Sequence, residues 1–131
     1  MAEERRMDAT SGNTGKRVVI IDDNVDSVEA LSMLLELEGH TVSAAYDGPS
    51  GLALIASMRP DVVLCDIGLP GMNGYEVAES VRRLGTAAPV LAAITGYGQS
   101  SDIRRAREAG FSHHLVKPVD PVAVLTLLNE S

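Results

Sequence analysis

The sequence RVVIIDDN, residues 17–24, joins an unbroken apolar run to two acidic residues, and this arrangement is the clearest indication of the fold. A similar arrangement occurs in DVVLCD, residues 61–66, where an apolar run is again followed by an aspartate. A third run, VLAAIT at residues 90–95, ends in a threonine. Unbroken apolar runs of this length are typical of parallel strands that helices cover on both faces. The three runs therefore predict the central strands of a sheet, each ending on a polar residue.

The rest of the chain alternates helical patterns with two weaker strands, residues 41–45 and 111–116. Gly39 and Gly110 suit the ends of the first and fourth helices, and Asp120 followed by Pro121 suits the start of the last. Strands that alternate with helices are the pattern of βαβ units. We therefore predict an α/β fold with a doubly wound parallel sheet of (βα)5 type. The apolar helical stripes are Val28, Leu31, Leu34 and Leu35; Leu52, Ile55 and Ala56; Val77, Val81 and Leu84; Ile103 and Ala106; and Val122, Leu125 and Leu128.

The composition excludes several classes of protein. With 131 residues, 45% of them hydrophobic and 22% charged, the chain suits one globular domain, which we place at residues 17–131 behind a flexible arm at residues 1–16. Its longest apolar stretch is far shorter than the roughly 20 residues of a membrane helix. A net charge of −7 leaves no cationic surplus for binding DNA or RNA. The single cysteine, Cys65, excludes an internal disulfide and favours a cytoplasmic location.

Polar side chains follow every central strand. The carboxyl ends of parallel strands meet at one edge of the sheet, where ligands bind, so we expect Asp22, Asp23 and Asp66 to lie close together. Three neighbouring carboxylates repel one another unless positive charge lies among them. Mg²⁺ prefers such oxygen ligands, and Lys117 at the end of the last strand supplies a second positive charge. Together with the hydroxyl of Thr95, this set suits phosphoryl transfer, with Asp66 as the expected nucleophile.

Four motifs, in this order, resemble the receiver domain of bacterial two-component response regulators: RVVIIDDN, DVVLCDIGLPGMNG, PVLAAITG and HLVKP. The resemblance spans residues 17–128. It implies a flavodoxin-like sandwich, as in the chemotaxis members of the family, with five parallel strands in the order 2-1-3-4-5. The segment GFSHHLVKPVDP, residues 110–121, is also similar to receivers at the C-terminus of hybrid histidine kinases. If the domain were excised from such a protein, the parent would be a sensor histidine kinase.

The resemblance implies a phosphoacceptor rather than an enzyme that acts on a separate substrate. Asp66 would accept a phosphoryl group from a phosphohistidine on a sensor histidine kinase or a histidine phosphotransfer protein. Thr95 and Lys117 would contact the phosphoryl oxygens. The signal would pass to a downstream effector protein or an output domain, without direct binding to nucleic acid or membrane. The implied ligands of Mg²⁺, or of Mn²⁺ in its place, are Asp22, Asp23, Asp66 and the backbone carbonyl of Gly68.

The same resemblance implies a conformational switch. Phosphorylation would recruit Thr95 and shift a surface formed by the fourth helix, the fifth strand and the fifth helix. His114 departs from the family pattern, because an aromatic switch residue is usual at its position; Tyr97 is the other aromatic residue close enough in sequence to take part. The peptide bond before Pro118 is usually cis in the family. The implied switch residues are Thr95, Tyr97, His114 and Pro118.

Other interpretations of these residues are open at the level of sequence. A small Mg²⁺-dependent phosphatase or hydrolase could use the same acids on a free substrate, and a receiver-like module could bind partners without being phosphorylated. The segment GYGQSS, residues 96–101, is a weaker sign of a nucleotide or flavin site. His113 and His114 are neighbours on a strand, so their side chains point to opposite faces and do not readily share a metal ion. We expect Cys65 to be a buried structural residue.

Overall fold

The computed structural model describes residues 15–84, 88–96 and 100–131, except for the side chains of residues 100–102. Within these ranges, strands and helices alternate along the chain. The strands are β1 (Arg17–Ile21), β2 (Thr41–Ala45), β3 (Val62–Asp66), β4 (Val90–Thr95) and β5 (His113–Val116). The helices are α1 (Val25–Leu37), α2 (Gly48–Met58), α3 (Gly74–Arg83), α4 (Ser100–Ala109) and α5 (Pro121–Glu130).

All five strands are parallel, and they lie in the order β2-β1-β3-β4-β5. The doubly wound α/β fold is therefore confirmed, together with the strand order that the family resemblance implies. The three unbroken apolar runs form the central strands β1, β3 and β4, and the two weaker runs form the edges. Ile21 at the end of β1 lies beside Cys65, and Asp66 at the end of β3 lies beside Ile94, so the central strands end nearly level.

Two apolar layers, one on each face of the sheet, hold the helices. Alternate residues of a strand point to opposite faces. In β1, Val18 and Ile20 pack in the layer with α1 and α5, whereas Val19 and Ile21 pack in the layer with α2, α3 and α4. Each of these four side chains is at most 1% exposed. Because both faces are covered, the central strands are apolar along their length and polar only at their ends.

The helix ends follow the predicted signals. Gly39 and Gly110, which follow α1 and α4, have φ values of 96° and 122°, in the left-handed region that glycine adopts without strain. Asp120 caps α5 by accepting a hydrogen bond from the backbone N–H of Val122 over 2.9 Å, and Pro121 begins the helix. In the part of the chain that the structure describes, every helix is too short or too polar to cross a membrane.

Two details of the predicted pattern are wrong. The strand predicted at residues 111–116 begins at His113, because the backbone N–H of Phe111 bonds to the carbonyl of Ala106 and completes the turn after α4. Several residues of the apolar stripes are exposed, since the width of a helix face that becomes covered depends on the neighbouring elements and not on spacing alone. Their exposed fractions are 42% for Leu34, 46% for Leu84, 37% for Ile103 and 67% for Val122.

Leu64 and Leu37 form a matched pair for testing the core. Leu64 in β3 is fully buried, whereas Leu37 at the end of α1 is 81% exposed. We expect Leu64→Ala to lower the free energy of unfolding by about 2–5 kcal/mol, because it leaves a cavity between close-packed layers. Leu37→Ala should change it by less than about 0.5 kcal/mol. Urea denaturation measures both values, and an equal loss in the two variants would contradict the central position of β3.

Cys65, also in β3, is fully buried, as the sequence predicts. Burial raises the pKa of its thiol, and the charges of Asp66 and Asp22 raise it further. We therefore expect a chromogenic disulfide reagent to leave the native protein unlabelled at mildly alkaline pH and to label this thiol after denaturation. Rapid labelling of the native protein would show that β3 is accessible to solvent.

Candidate functional site

Four strands end at the same edge of the sheet and bring the predicted polar residues together. Asp22 and Asp23 follow β1, and Asp66 ends β3. Thr95 ends β4, and Lys117 follows β5. Because these strands are parallel and end nearly level, residues that are far apart in the sequence become neighbours at this edge.

Three carboxylates form the centre of the site. One oxygen each from Asp22, Asp23 and Asp66 lies within 4.8 Å of the others. Asp22 and Asp66 are 4% and 6% exposed, whereas Asp23 is exposed. Burial raises the pKa of Asp22, the backbone N–H of Asn24 lowers it by donating to Oδ1 over 3.0 Å, and the charge of Asp66 raises it again. The net pKa shift is upward, mainly because the carboxyl is buried, and the negative charge of Asp66 adds to the effect of burial.

Lys117 supplies positive charge to this cluster. Its Nζ lies 2.8 Å from Oδ2 of Asp66 and 3.5 Å from Oδ2 of Asp22. Burial lowers the pKa of Lys117, but the hydrogen bond to Asp66 and the charges of both carboxylates outweigh burial, and the net pKa shift is upward. The lysine therefore stays protonated and offsets part of the negative charge.

The loop after β3 holds Asp66 through backbone contacts. The N–H of Gly68 donates a hydrogen bond of 2.8 Å to Oδ1 of Asp66. Gly74, the first residue of α3, passes so close to the end of β3 that a Cβ atom there would lie 2.6 Å from the Asp66 carbonyl oxygen. Asn73 and Glu76 form a capping box at the same helix start. A side chain at position 74 would therefore displace the loop that orients Asp66.

Thr95 and His114 form a hydrogen-bonded pair beside the carboxylates. Thr95 is 6% exposed, and its Oγ1 lies 3.0 Å from Nε2 of His114. The neighbouring His113 is exposed, and its Nδ1 lies 3.0 Å from Oγ of Ser112. His113 lies level with Ala92 and His114 with Ala93, and these two alanines pack in opposite apolar layers, so the prediction that the two histidines point to opposite sides of the sheet is confirmed.

The other predicted site residues lie as follows. Gly68 contacts Asp66 through the hydrogen bond from its backbone N–H. That its carbonyl oxygen binds a metal ion stays a prediction. Pro118 follows Lys117 through a cis peptide bond, as the resemblance implies. Tyr97 lies outside the described residues.

The acidic cluster fits a hard divalent cation. Carboxylate oxygens are the ligands that Mg²⁺ prefers, and three carboxylates converge here. Among the described residues, Lys117 is the cation that forms ion pairs with this cluster. Its single positive charge is smaller than the negative charge of three ionised carboxylates. A divalent ion would complete the neutralisation that one ammonium begins.

Sequence reasoning missed the role of Asn24. Its backbone N–H orients the carboxylate of Asp22, and its side chain caps α1 by accepting a hydrogen bond from the N–H of Ser27 over 3.1 Å. The signal was available, because an asparagine between an acidic pair and a helical stripe is a common helix cap.

Sequence reasoning also missed an apolar groove of about 550 Å³ that opens beside Asp22 and Lys117. Leu31 and Leu34 of α1 form one wall, and the segment that joins β5 to α5 forms the other. No local pattern could have revealed this groove, because its walls come from opposite ends of the chain.

The chain is similar to known proteins over most of its length. The family model for the response regulator receiver domain matches residues 18–129. Protein PilH of Pseudomonas aeruginosa is 34% identical over 114 residues, which cover 86% of this chain and 94% of PilH. The DNA-binding response regulator MtrA of Mycobacterium tuberculosis is 32% identical over 106 residues, which cover 81% of this chain and 46% of MtrA.

Solved structures share the fold. A CheY-like response regulator receiver domain protein of Methanospirillum hungatei superposes with a TM-score of 0.81 at 31% identity, covering 89% of this chain and 93% of the other. The chemotaxis response regulator CheY4 of Vibrio cholerae superposes with a TM-score of 0.79 at 27% identity, covering 89% of this chain and 98% of CheY4. The chain thus belongs to the response regulator receiver domain family, whose members act in two-component signal transduction.

Proposed function

We propose that this receiver takes a phosphoryl group from a phosphohistidine onto Asp66. One observation carries the proposal: the buried carboxylate of Asp66 lies among two further carboxylates and 2.8 Å from the ammonium of Lys117. Phosphoryl transfer depends mainly on positioning and on neutralising charge at the transferring group. The cluster combines a fixed nucleophile with that neutralisation, which supports the assignment.

In the proposed reaction, an oxygen of Asp66 attacks the phosphorus atom, and the bond between phosphorus and the donor imidazole breaks. The bonding electron pair leaves with the imidazole nitrogen, which solvent protonates. Lys117 neutralises charge on the phosphoryl oxygens from its place beside the carboxylate. The product is an acyl phosphate, and its hydrolysis restores the Asp66 carboxylate and releases inorganic phosphate.

The residues proposed to hold Mg²⁺ or Mn²⁺ are Asp22, Asp23, Asp66 and the carbonyl of Gly68. A bound divalent ion supplies positive charge to the transferring oxygens. The protein's own contribution is orientation: Asn24 donates to Asp22, and the N–H of Gly68 donates to Asp66. These backbone contacts leave the carboxylates little freedom to turn away.

Thr95 is the proposed sensor of phosphorylation, through a hydrogen bond from its hydroxyl to a phosphoryl oxygen. Its position supports this role, because Thr95 ends β4 directly before the segment that leads to α4. A change at Thr95 would therefore alter the surface of α4, β5 and α5. We propose that Tyr97, His114 and Pro118 complete the switch.

The donor is proposed to be a protein, either a sensor histidine kinase or a histidine phosphotransfer protein. The apolar groove beside Asp22 and Lys117 supports this, since a protein donor can bury apolar surface there next to the acceptor. Leu34 in the groove wall is 42% exposed, and Val122 in the first turn of α5 is 67% exposed. Both offer apolar side chains to a protein partner. A small phosphoester would leave that surface in water.

On the output side, we propose transfer of the signal to an effector protein or an output domain. The net charge of −7 supports a protein partner rather than direct contact with nucleic acid. The lone buried Cys65 suits a reducing compartment, and we propose that the receiver acts in the cytoplasm. We take residues 17–131 as the receiver domain and residues 1–16 as an arm before it.

Substitution of Asp66 tests the proposed phosphoacceptor directly. Incubation with a small acyl phosphate and Mg²⁺ should add one phosphoryl group to the wild-type protein and none to Asp66→Ala, because the variant lacks the nucleophile. Omitting Mg²⁺ should abolish the adduct. Intact-mass spectrometry measures the adduct. Asp47→Ala is the matched control, because it removes a carboxylate that caps α2 and is not part of the acidic cluster.

A persistent phosphoprotein in the Asp66→Ala variant would refute the assignment. Turnover of a free phosphoester by the wild-type protein, without an adduct on Asp66, would instead identify a phosphatase. Binding of Mg²⁺ without any adduct, even with a phosphohistidine protein as donor, would identify a module that binds partners unphosphorylated.

Substitution of Lys117 separates metal binding from signalling. Lys117→Ala should still bind Mg²⁺, because the three carboxylates remain. Its phosphorylation should slow by about a factor of 100, since charge neutralisation at the transferring group is lost. The change in the NMR spectrum on phosphorylation should disappear. Lys16→Ala is the control, because the Lys16 ammonium contacts the carbonyl of Ser131 instead. An unchanged phosphorylation-dependent shift in Lys117→Ala would contradict the role of Lys117.

A further inference from the structure

The contact between Thr95 and His114 crosses two strands on one face of the sheet. His114 in β5 lies level with Ala93 in β4, and Thr95 is two residues beyond Ala93. Residues two apart on a strand share a face, so the histidine ring reaches diagonally toward the threonine. The distance of 3.0 Å from Nε2 to Oγ1 is a hydrogen bond.

The direction of this hydrogen bond decides what Thr95 can offer to a ligand. A hydroxyl carries one proton and two acceptor sites, and a neutral imidazole has one N–H and one bare nitrogen. If Nε2 carries no proton, the Thr95 hydroxyl donates its hydrogen bond to the ring. If Nε2 carries the proton, the ring donates to Oγ1 and the hydroxyl proton is free to point elsewhere.

We propose that His114 is a positioning residue that donates from Nε2–H to Thr95 Oγ1 and so directs the Thr95 hydroxyl proton to a phosphoryl oxygen on Asp66. This inference rests on the proposed function. No proton is transferred between His114, Thr95 and the phosphoryl group. A ring nitrogen of His114 lies at hydrogen-bond distance from Thr95, and its proposed role is therefore polar as well as steric.

Burial and hydrogen-bond satisfaction support the donor arrangement. Thr95 is 6% exposed, so a hydroxyl that lost its protein partner would find little water in exchange. With Nε2–H as the donor, the contact is kept when the phosphoryl group arrives, and each hydrogen bond polarises the next. With a bare Nε2, phosphorylation would have to break the contact first.

Three substitutions at His114 separate a polar role from a steric one. We expect His114→Phe to slow the phosphorylation of Asp66 by an acyl phosphate with Mg²⁺ by about tenfold, the usual effect of one lost hydrogen bond. The amide nitrogen of glutamine can occupy the place of Nε2, so His114→Gln should recover most of the rate. The shorter His114→Asn should not. His113→Phe is the control, because His113 is exposed and contacts Ser112.

A double-mutant cycle with Thr95→Val tests whether His114 acts through Thr95. In the Thr95→Val background, His114→Phe should cause no further loss of rate, because the acceptor of its hydrogen bond is gone. Rates are measured by intact-mass spectrometry over time. Additive losses would show that His114 acts by another route.

The tautomer is read directly from ¹⁵N NMR of the histidine rings in the unphosphorylated protein. The proposal requires Nε2–H with a bare Nδ1 in the neutral ring, and the opposite tautomer would overturn it whatever the kinetics show. If the wild-type protein is phosphorylated and all His114 variants match its rate, the role of His114 falls and the proposed function stands. Faster phosphorylation of His114→Phe would also overturn the proposed role of His114, because it would show that the histidine ring hinders Thr95. A wild-type protein that no donor phosphorylates would overturn both proposals.

Discussion

The site depends on the contact between the ammonium of Lys117 and the carboxylates of Asp66 and Asp22. Buried carboxylates that face one another favour protonation, and the upward pKa shift of Asp22 reflects this. The ammonium, 2.8 Å from Asp66 and 3.5 Å from Asp22, offsets part of the repulsion. It cannot balance three carboxylates. The remaining negative charge suits the cluster to a divalent cation, and the same lysine is the group that we propose to contact the phosphoryl oxygens.

The sheet explains why this charge collects where it does. Helices cover both faces of the three central strands, so apolar residues occupy the strands and polar residues are confined to their ends. Parallel pairing then brings those ends to one edge. The apolar side chains that stabilise the sheet and the polar side chains of the site therefore occupy separate parts of the same strands.

The sequence predicted the fold closely because the signals are local. Apolar runs marked β1, β3 and β4, and Gly39 and Asp120 marked helix ends. Local patterns were less reliable where neighbouring elements decide the outcome: Leu34 and Val122 have helical spacing typical of a core stripe but are exposed. Phe111 was assigned to a strand, but its N–H completes the turn after α4. Each difference arises from packing or pairing that no short window of sequence contains.

Short-range spacing and residue type specify the five strands and helices, the acidic residues at the strand ends and the lysine that accompanies them, so these features can be predicted from the sequence. Which atoms come into contact depends on how the strands and helices assemble. The ammonium of Lys117 reaches Asp66 across 51 residues of chain, and the ring of His114 reaches Thr95 across 19. The apolar groove beside them likewise needs α1 and the start of α5 to be side by side. Hydrogen-bond partners, burial and grooves depend on segments that become neighbours only when the sheet assembles.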